Sequence, residues 1–439
     1  MNQKMMVLKG AAFLTIAGLI GKIAGFFYRI FLSRTIGAEG VGIFQLIFPI
    51  YALSFSLSVS GIQSCVSRFV SSRTAVGDKG GARRILHIGL FLSISMSLLV
   101  SLFLFRFHNE LAIYYVKEAR TASLLMLLAY VVPFGSIHAC INGYFFGLKQ
   151  AKIPAISEIL EHAVRLGSLF LFYQILTSRS APITPAIAVY SMIAEEFLAA
   201  LFSATALTLH FVRQPALPPS AASAWHYTRE LIVLSTPLTL NRVLLNILQS
   251  IEALLIPLQL QKWGLSSSGA LSTYGILTGM ALPLIMFPTA LTSPVGTMLL
   301  PVISEEQAKG QINRVKNVIR KICIWSLLLG GICWFFFFFT GNFLGNMLFD
   351  NQLAGSFIRA MSWICPLFYL TPSLFAILNG LGKTSRVFFH NLTGTGLRIL
   401  FILFAIPKLG ISGYLYGILL NQAVVFLLSM MTIKREFQK

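Results

Sequence analysis

IPAISEILEHAVRLGSLFLFY, residues 153–173, is long enough to cross a bilayer as a helix, yet it carries Glu158, Glu161, His162 and Arg165. A membrane-spanning helix needs about 20 mostly apolar residues. At roughly 100° per residue, the four ionisable side chains project from one face within an arc of about 100°. Leu, Phe and Ile occupy the other face. Ionisable groups inside a bilayer cost about 2.5–3.5 kcal/mol each on insertion scales, so they turn toward a bundle interior or a water-filled path. The rest of the chain is expected to build the walls of that cavity. Two readings of the face stand side by side. Glu161 and Arg165, at i and i+4 with the acid on the N-terminal side, fit a structural staple. A staple needs only two charges, however, and the excess here fits a solvated, ligand-accessible surface.

The 439-residue chain is 56% hydrophobic and 11% charged, with a mean hydropathy of +0.78. Soluble domains carry about 25% charged residues, so this composition indicates a polytopic, all-α membrane protein of the cell membrane. The net charge of +20, from 34 Lys and Arg against 14 Asp and Glu, would suggest nucleic acid in a soluble chain. Here the cations gather in short connections between apolar stretches, which points to topology and anionic lipid headgroups instead. Five cysteines (Cys65, Cys140, Cys323, Cys333 and Cys365) lie scattered in apolar stretches without a CxxC or a His at metal-ligand spacing. They read as reduced, buried residues, and no metal site is expected. The first apolar stretch is too long for a signal peptide and contains Lys22, so it is expected to remain as the first span.

Twelve helices are expected, at 7–32, 41–69, 85–105, 121–148, 153–176, 184–212, 230–257, 270–303, 320–340, 356–380, 385–406 and 411–433. With the N-terminus cytoplasmic, Arg73, Lys79, Arg83, Arg84, Lys149 and Lys152 fall inside with most other cations. The outside connections keep only a minority, such as Arg106, Arg120 and Arg179. The positive-inside rule then places both termini in the cytoplasm. RQPALPPSAASAWHYT, residues 213–228, separates six spans from six and reads as an inter-lobe linker. The expected organisation is a six-helix lobe at 1–213, a cytoplasmic linker at 214–228 and a second six-helix lobe at 229–439. Gly147 with Gly380, Leu148 with Leu381 and Arg165 with Arg398 recur at one constant separation. This suggests a parallel, pseudo-twofold repeat with the substrate path between lobes and Arg165 equivalent to Arg398.

Other spans also carry polar groups. The first places Lys22 and Arg29 on one face beside Gly18, Gly21 and Gly25, whose spacing allows close helix approach. The seventh carries Arg242, Asn246 and Gln249 as a stripe with Glu252 nearby, a pattern that fits interhelical hydrogen bonds as well as a ligand site. Glu195 and Glu196 are adjacent in the sixth, so they point about 100° apart. One is expected to reach the cavity and the other to meet an arginine. The eighth span, interrupted by Pro283, Pro288, Pro294 and Pro301, is expected to be bent. No Walker loop, dinucleotide fingerprint, nucleophile elbow or HExxH occurs, so no catalytic residue or cofactor is expected and an ATP-driven pump is disfavoured.

Four stretches carry a family resemblance: GKIAGFFYRIFLSRTIGAEGVGIFQLIFPIYAL (21–53), SEILEHAVRLG (157–167), STPLTLNRVLLNILQSIEALLIPLQLQ (235–261) and YGILTGMALPLIMFPTALTSPVGTMLLPVISE (274–305). They resemble the stage V sporulation protein B family of polysaccharide exporters. Its superfamily includes lipid II flippases, O-antigen flippases and multidrug and toxin extrusion antiporters. The resemblance implies two six-helix lobes around a V-shaped cavity that work by alternating access. It also implies a substrate linked to undecaprenyl pyrophosphate and needed for spore-envelope or cell-wall polysaccharide. The family's charged positions would match Glu161 and Arg165 in the fifth helix, and Arg29 and Arg242 in the first and seventh. Longer members continue through two further helices that in lipid II flippases help hold the lipid tail, whereas twelve are read here.

Two functions of different class follow. A flippase for a lipid-linked sugar phosphate would use Lys22, Arg29, Arg242 and Arg398, read as unpaired cavity cations. Arginine's planar fork suits a pyrophosphate. A cation-coupled drug antiporter of the same fold would need a titrating carboxylate and a coupling ion, H+ or Na+, with Glu158, Glu195, Glu196 and Glu252 as candidates. Cavity cations and acids are about equal in number, which leaves no strongly anionic pocket and favours the flippase. A non-transporting membrane scaffold for sporulation is a third reading. It would tolerate neutralisation of the mid-helix arginines.

Overall fold

The computed structural model describes residues 3–213, 223–290, 292, 303 and 312–436. Every regular element among them is helical. In hydrocarbon each backbone N–H and C=O must be bonded within its own segment, and only a helix or a closed barrel achieves this. Among the described residues, eleven helical tracts are long and apolar enough to span a membrane. The first of these, Phe13–Ala75, has 63 residues. At about 1.5 Å per residue it is roughly three times the length needed for a hydrocarbon core of about 30 Å. It is broken inside α1 (Gln3–Phe55) at Gly37, where φ is 70° and ψ 177°. A Cβ is disfavoured in that left-handed region, so glycine makes the break and divides the tract into two crossings. The expected spans 7–32 and 41–69 fall on either side of it.

From α1 the chain passes through a widened turn, Ser56–Ser60, into α2 (Gly61–Ala75). It continues through α3 (Lys79–Glu110), α4 (Ala122–Gly147), α5 (Lys152–Ser178), α6 (Ala186–Val212) and α7 (Ala224–Trp263). The eighth expected span is interrupted, as its prolines require. It comprises α8 (Ser267–Gly275), a widened turn Ile276–Ala281 and α9 (Leu282–Met286), which begins beside Pro283. Pro294 and Pro301 lie outside the described residues. α10 (Ile312–Phe349), α11 (Gln352–Met361), α12 (Cys365–Gly380), α13 (Thr384–Phe404), α14 (Ile406–Leu409) and α15 (Ile411–Glu436) complete the chain.

The chain divides into two compact units, Met1–Ile36 with Ile43–Ser250, and Gly37–Gly42 with Ile251–Lys439. The division falls within α7 instead of at the linker expected at 214–228, of which residues 214–222 lie outside the described residues. The reason is the anchorage of α7. Tyr227, 2% exposed, and Leu231 pack with Val66, Val70, Ala82 and Ile85 of α2 and α3. Arg73 Nη2 meets Glu230 at 3.1 Å, and the Tyr227 hydroxyl reaches Asp78 at 3.4 Å.

In the first unit α4 is the hub, packed against α2, α3 and α6, while α5 packs on α6. α3 presents Gly89, Ser93 and Ser97, spaced by four, as a buried small-residue stripe. Small side chains let helices approach where no hydrophobic force drives them together. Its opposite face exposes Phe91, Leu99 and Leu102 to the surroundings, as a lipid-facing surface should. In the second unit α10 packs on α11 and α12, and α13 on α15. Its core gathers Leu370, Leu374, Ile377 and Leu378 with Ile319 and Ile433. Gly42 and Gly275 there allow backbones to touch. A Cβ on Gly42 would meet the Leu271 carbonyl, and one on Gly275 the Ala38 carbonyl.

Candidate functional site

The ionic face of α5 meets α1, α4 and α6 in the first unit. Arg165 Nε lies 3.0 Å from Glu195 Oε2 on α6, and its guanidinium sits over the Tyr28 ring of α1, 5.1 Å from the centroid. The Nε–H is buried and is not directed along that contact, so the pair is electrostatic and the donor has no acceptor. Tyr28 in turn shares a 3.3 Å hydrogen bond with Ser191 of α6.

Glu161 does not pair with Arg165, so the staple expected from the i, i+4 spacing is not formed. Its Oε1 accepts from the Ser157 hydroxyl at 2.9 Å and lies 3.1 Å from His138 Nε2 on α4. The other ring nitrogen of His138 lies 3.1 Å from Glu196 Oε2, and the Tyr51 hydroxyl donates to Glu196 Oε1 at 2.8 Å. Glu161 finds two partners close to its own turn, while Glu195 reaches Arg165 from the next helix. The two acids of α6 thus point apart, Glu195 to the arginine and Glu196 to the histidine. His138 escaped the sequence reading because it is a lone polar group in an apolar helix and its partners come from α5 and α6. The same holds for Tyr28 and Tyr51.

Arg29 makes no ion pair or hydrogen bond among the described residues. It lies close enough to Arg165 and Tyr28 for their charges to interact. Lys22 is exposed, two turns before Arg29 on the same face of α1. Gly18 and Gly21 let α1 approach α5. A Cβ on Gly21 would collide with the His162 ring, and one on Gly18 would lie 3.6 Å from Glu158 Oε1. His162 Nδ1 is buried without a hydrogen-bond partner.

The polar stripe of α7 meets the serine-rich turn between α1 and α2. Arg242 donates to the Ser60 hydroxyl and, at 3.4 Å, to Ser64. Asn246 donates to the Ser56 hydroxyl and, at 3.0 Å, to the Ala52 carbonyl. Asn246 is therefore an interhelical bonding residue. Gln249 is exposed and makes no hydrogen bond among the described residues.

Arg398 was read from sequence as an unpaired cation, and the second unit overturns that reading, because Glu252, read as a coupling carboxylate, is its partner. Arg398 Nη2 donates to Glu252 Oε2 at 2.9 Å, and the Tyr414 hydroxyl donates to Glu252 Oε1 at 2.7 Å. Each unit thus holds an arginine, a carboxylate and tyrosines, assembled from different helices. In the first the acid comes from α6, and in the second from α7. Among the described residues no group of three or more His, Cys, Asp or Glu side chains is arranged to hold a metal ion. The His138 ring stands between its two carboxylates and joins them by its opposite nitrogens.

A sequence profile of the polysaccharide biosynthesis protein family matches residues 7–307, and one of the MatE family matches residues 243–404. Stage V sporulation protein B of Bacillus subtilis (strain 168) is 27% identical over 443 residues, covering 98% of this chain and 84% of the relative. Lipid II flippase MurJ of the same organism is 23% identical, covering 98% of this chain and 83% of the relative. A multidrug resistance MATE family transporter of the MOP superfamily, solved in an inward-facing conformation, superposes with a TM-score of 0.70 at 14% identity. That superposition covers 100% of this chain and 98% of the transporter, and it establishes the fold. The chain belongs to the polysaccharide biosynthesis protein family and is a multi-pass membrane protein with the fold of that transporter.

Proposed function

We propose that the protein moves a lipid-linked oligosaccharide across the cell membrane and holds its pyrophosphate in the first unit through Arg29 and Arg165. The observation that carries this reading is a pair of neighbouring guanidiniums, Arg29 and Arg165, of which only Arg165 has an ion-pair partner, Glu195. Arg29 has no ion pair among the described residues, and the buried Nε–H of Arg165 has no acceptor. An arginine offers five donors in a planar fork, matched to phosphate oxygens that accept bidentately. A diphosphate bridging two guanidiniums would satisfy both groups at once. The similarity to a lipid II flippase supports a substrate of this chemistry. Both termini are assigned to the cytoplasm on the loop charges.

The drug-antiporter reading needs a carboxylate open to a coupling ion or a cationic drug. Of its candidate carboxylates, Glu195 and Glu252 are instead taken by Arg165 and Arg398 and Glu196 by His138 and Tyr51, which leaves Glu158. The test is reconstitution into vesicles that carry a fluorescent lipid-linked oligosaccharide in the inner leaflet. Wild-type protein is expected to expose the probe to an impermeant quencher, and Arg29→Gln to slow that exposure at least tenfold. Exposure no faster than in protein-free vesicles would overturn the reading.

A further inference from the structure

His138 is bonded at both ring nitrogens to carboxylates, 3.1 Å from Glu161 Oε1 and 3.1 Å from Glu196 Oε2. Each N···O contact at this distance needs one proton between its atoms. Whether the proton sits on nitrogen or oxygen, two carboxylates and one imidazole sharing two protons carry one net negative charge. A doubly protonated ring between two carboxylates gives that sum, and so does a neutral ring beside one carboxylic acid and one carboxylate. The hydrogen-bond geometry therefore sets the charge of the trio without fixing the tautomer.

The surroundings complete the balance. α5 contributes Glu158, His162 and Arg165 beside Glu161, α6 contributes Glu195 beside Glu196, and α1 contributes Tyr51 and Tyr28. α2 and α3 face α4 with small and apolar groups, as Val66 and Gly89 do against Cys140. Arg165 and Glu195 cancel. Arg29, which interacts with Arg165, supplies the one positive charge that offsets the trio. Arg29, Arg165, Glu195 and the trio together sum to zero, with Glu158 and His162 beside them.

An arriving pyrophosphate diester breaks that balance in a region of low dielectric, where uncompensated charge is expensive. Glu158 and Glu161 both stand where a proton could answer it, and Glu161 is the one joined to the trio. Glu161 uses only Oε1 in its bonds to Ser157 and His138. Its Oε2 makes no hydrogen bond among the described residues, and the side chain is 18% exposed.

We infer that the His138 trio couples substrate binding to proton uptake: a proton from bulk water adds to Glu161 Oε2 as the pyrophosphate reaches Arg29 and Arg165. The trio then passes from one negative charge to none, and one charge of the ligand is offset. Binding is tighter at lower pH, by up to about tenfold per pH unit where one proton is taken up. Proton and anion enter the site together. The inference rests on the anion reading of the first unit.

The test is calorimetric binding of a short-chain isoprenyl pyrophosphoryl sugar to the full chain in nanodiscs of zwitterionic lipid. Buffers of different ionisation enthalpy are compared. The probe's two phosphates are both diesterified and have no further proton to exchange near neutral pH. Wild-type protein is expected to take up about one proton per probe. Glu161→Gln, which mimics the protonated acid, should bind with no buffer dependence and with an affinity that no longer varies with pH. Glu161→Ala, which removes the acid altogether, should also abolish the uptake and serves if Glu161→Gln does not fold. Binding by wild type without proton uptake overturns this inference and leaves the anion site standing. Undiminished uptake in either folded variant also overturns it. No binding at all overturns the anion reading and the inference together.

Discussion

Arg165 takes its counter-ion from a neighbouring helix: its Nε lies 3.0 Å from Glu195 Oε2, although Glu161 stands one turn away on its own helix. Both partners are largely buried, with side-chain exposures of 20% and 8%. Removing one member of such a pair leaves a charge uncompensated, at a cost of about 3 kcal/mol. Glu195→Gln should therefore lower the thermal midpoint of the detergent-solubilised protein clearly. Glu158→Gln, which breaks no ion pair among the described residues, should shift it by less than about 0.5 kcal/mol in stability. Equal shifts would show that the Arg165 and Glu195 pair is not structural.

The contact of Gly21 with His162 makes a second pair of variants informative. A Cβ at Gly21 would collide with the imidazole, whereas a Cβ at Gly25 meets nothing within 4 Å. Overpacking a well-filled interface costs about 1–3 kcal/mol. Gly21→Leu should reduce thermal stability by that order and Gly25→Leu should leave it unchanged. The opposite ranking would mean that α1 and α5 do not approach at Gly21.

Much of the architecture was legible because bilayer physics simplifies it. Runs of about 20 apolar residues between cationic connections gave the spans, and Gly37 falls where two of them meet. Side-chain partners were less legible. The i, i+4 rule put Glu161 on Arg165, but that rule treats a helix as if it stood alone. α6 delivers a second carboxylate to the guanidinium, and α4 delivers His138 to Glu161. Likewise Arg398 and Glu252 lie far apart in sequence and meet only in the folded unit. Such pairs have no periodicity to betray them.

The anchorage of α7 separates packing from surface charge. Tyr227 is 2% exposed, with Arg73 over its ring at 5.2 Å. Arg73 and Glu230 are about 30% exposed, so their ion pair is worth at most about 1 kcal/mol. Tyr227→Ala should lower stability by about 3–5 kcal/mol through lost packing, and Glu230→Ala by less than about 1 kcal/mol. Thermal unfolding of the two variants compares the terms directly. A larger effect at Glu230 would contradict the packing account.

Orientation follows from the loop charges and is open to labelling. With Cys323 and Cys333 replaced by serine, Ser178→Cys should react with an impermeant thiol reagent added outside intact cells. Ser220→Cys should react only after permeabilisation. The reverse pattern would invert the topology.

The central claim is that Arg29 and Arg165 form an anion site in the first unit. Its most direct measurement is the affinity of the purified protein for a short isoprenyl pyrophosphoryl sugar, compared with the phosphate-free isoprenyl sugar. Charge-assisted hydrogen bonds contribute about 1.5–3 kcal/mol each. Arg29→Gln is thus expected to weaken the charged probe by about tenfold to a hundredfold, to leave the uncharged probe unaffected and to flatten the salt dependence. A folded Arg29→Gln protein that binds the charged probe as tightly as wild type would contradict the account.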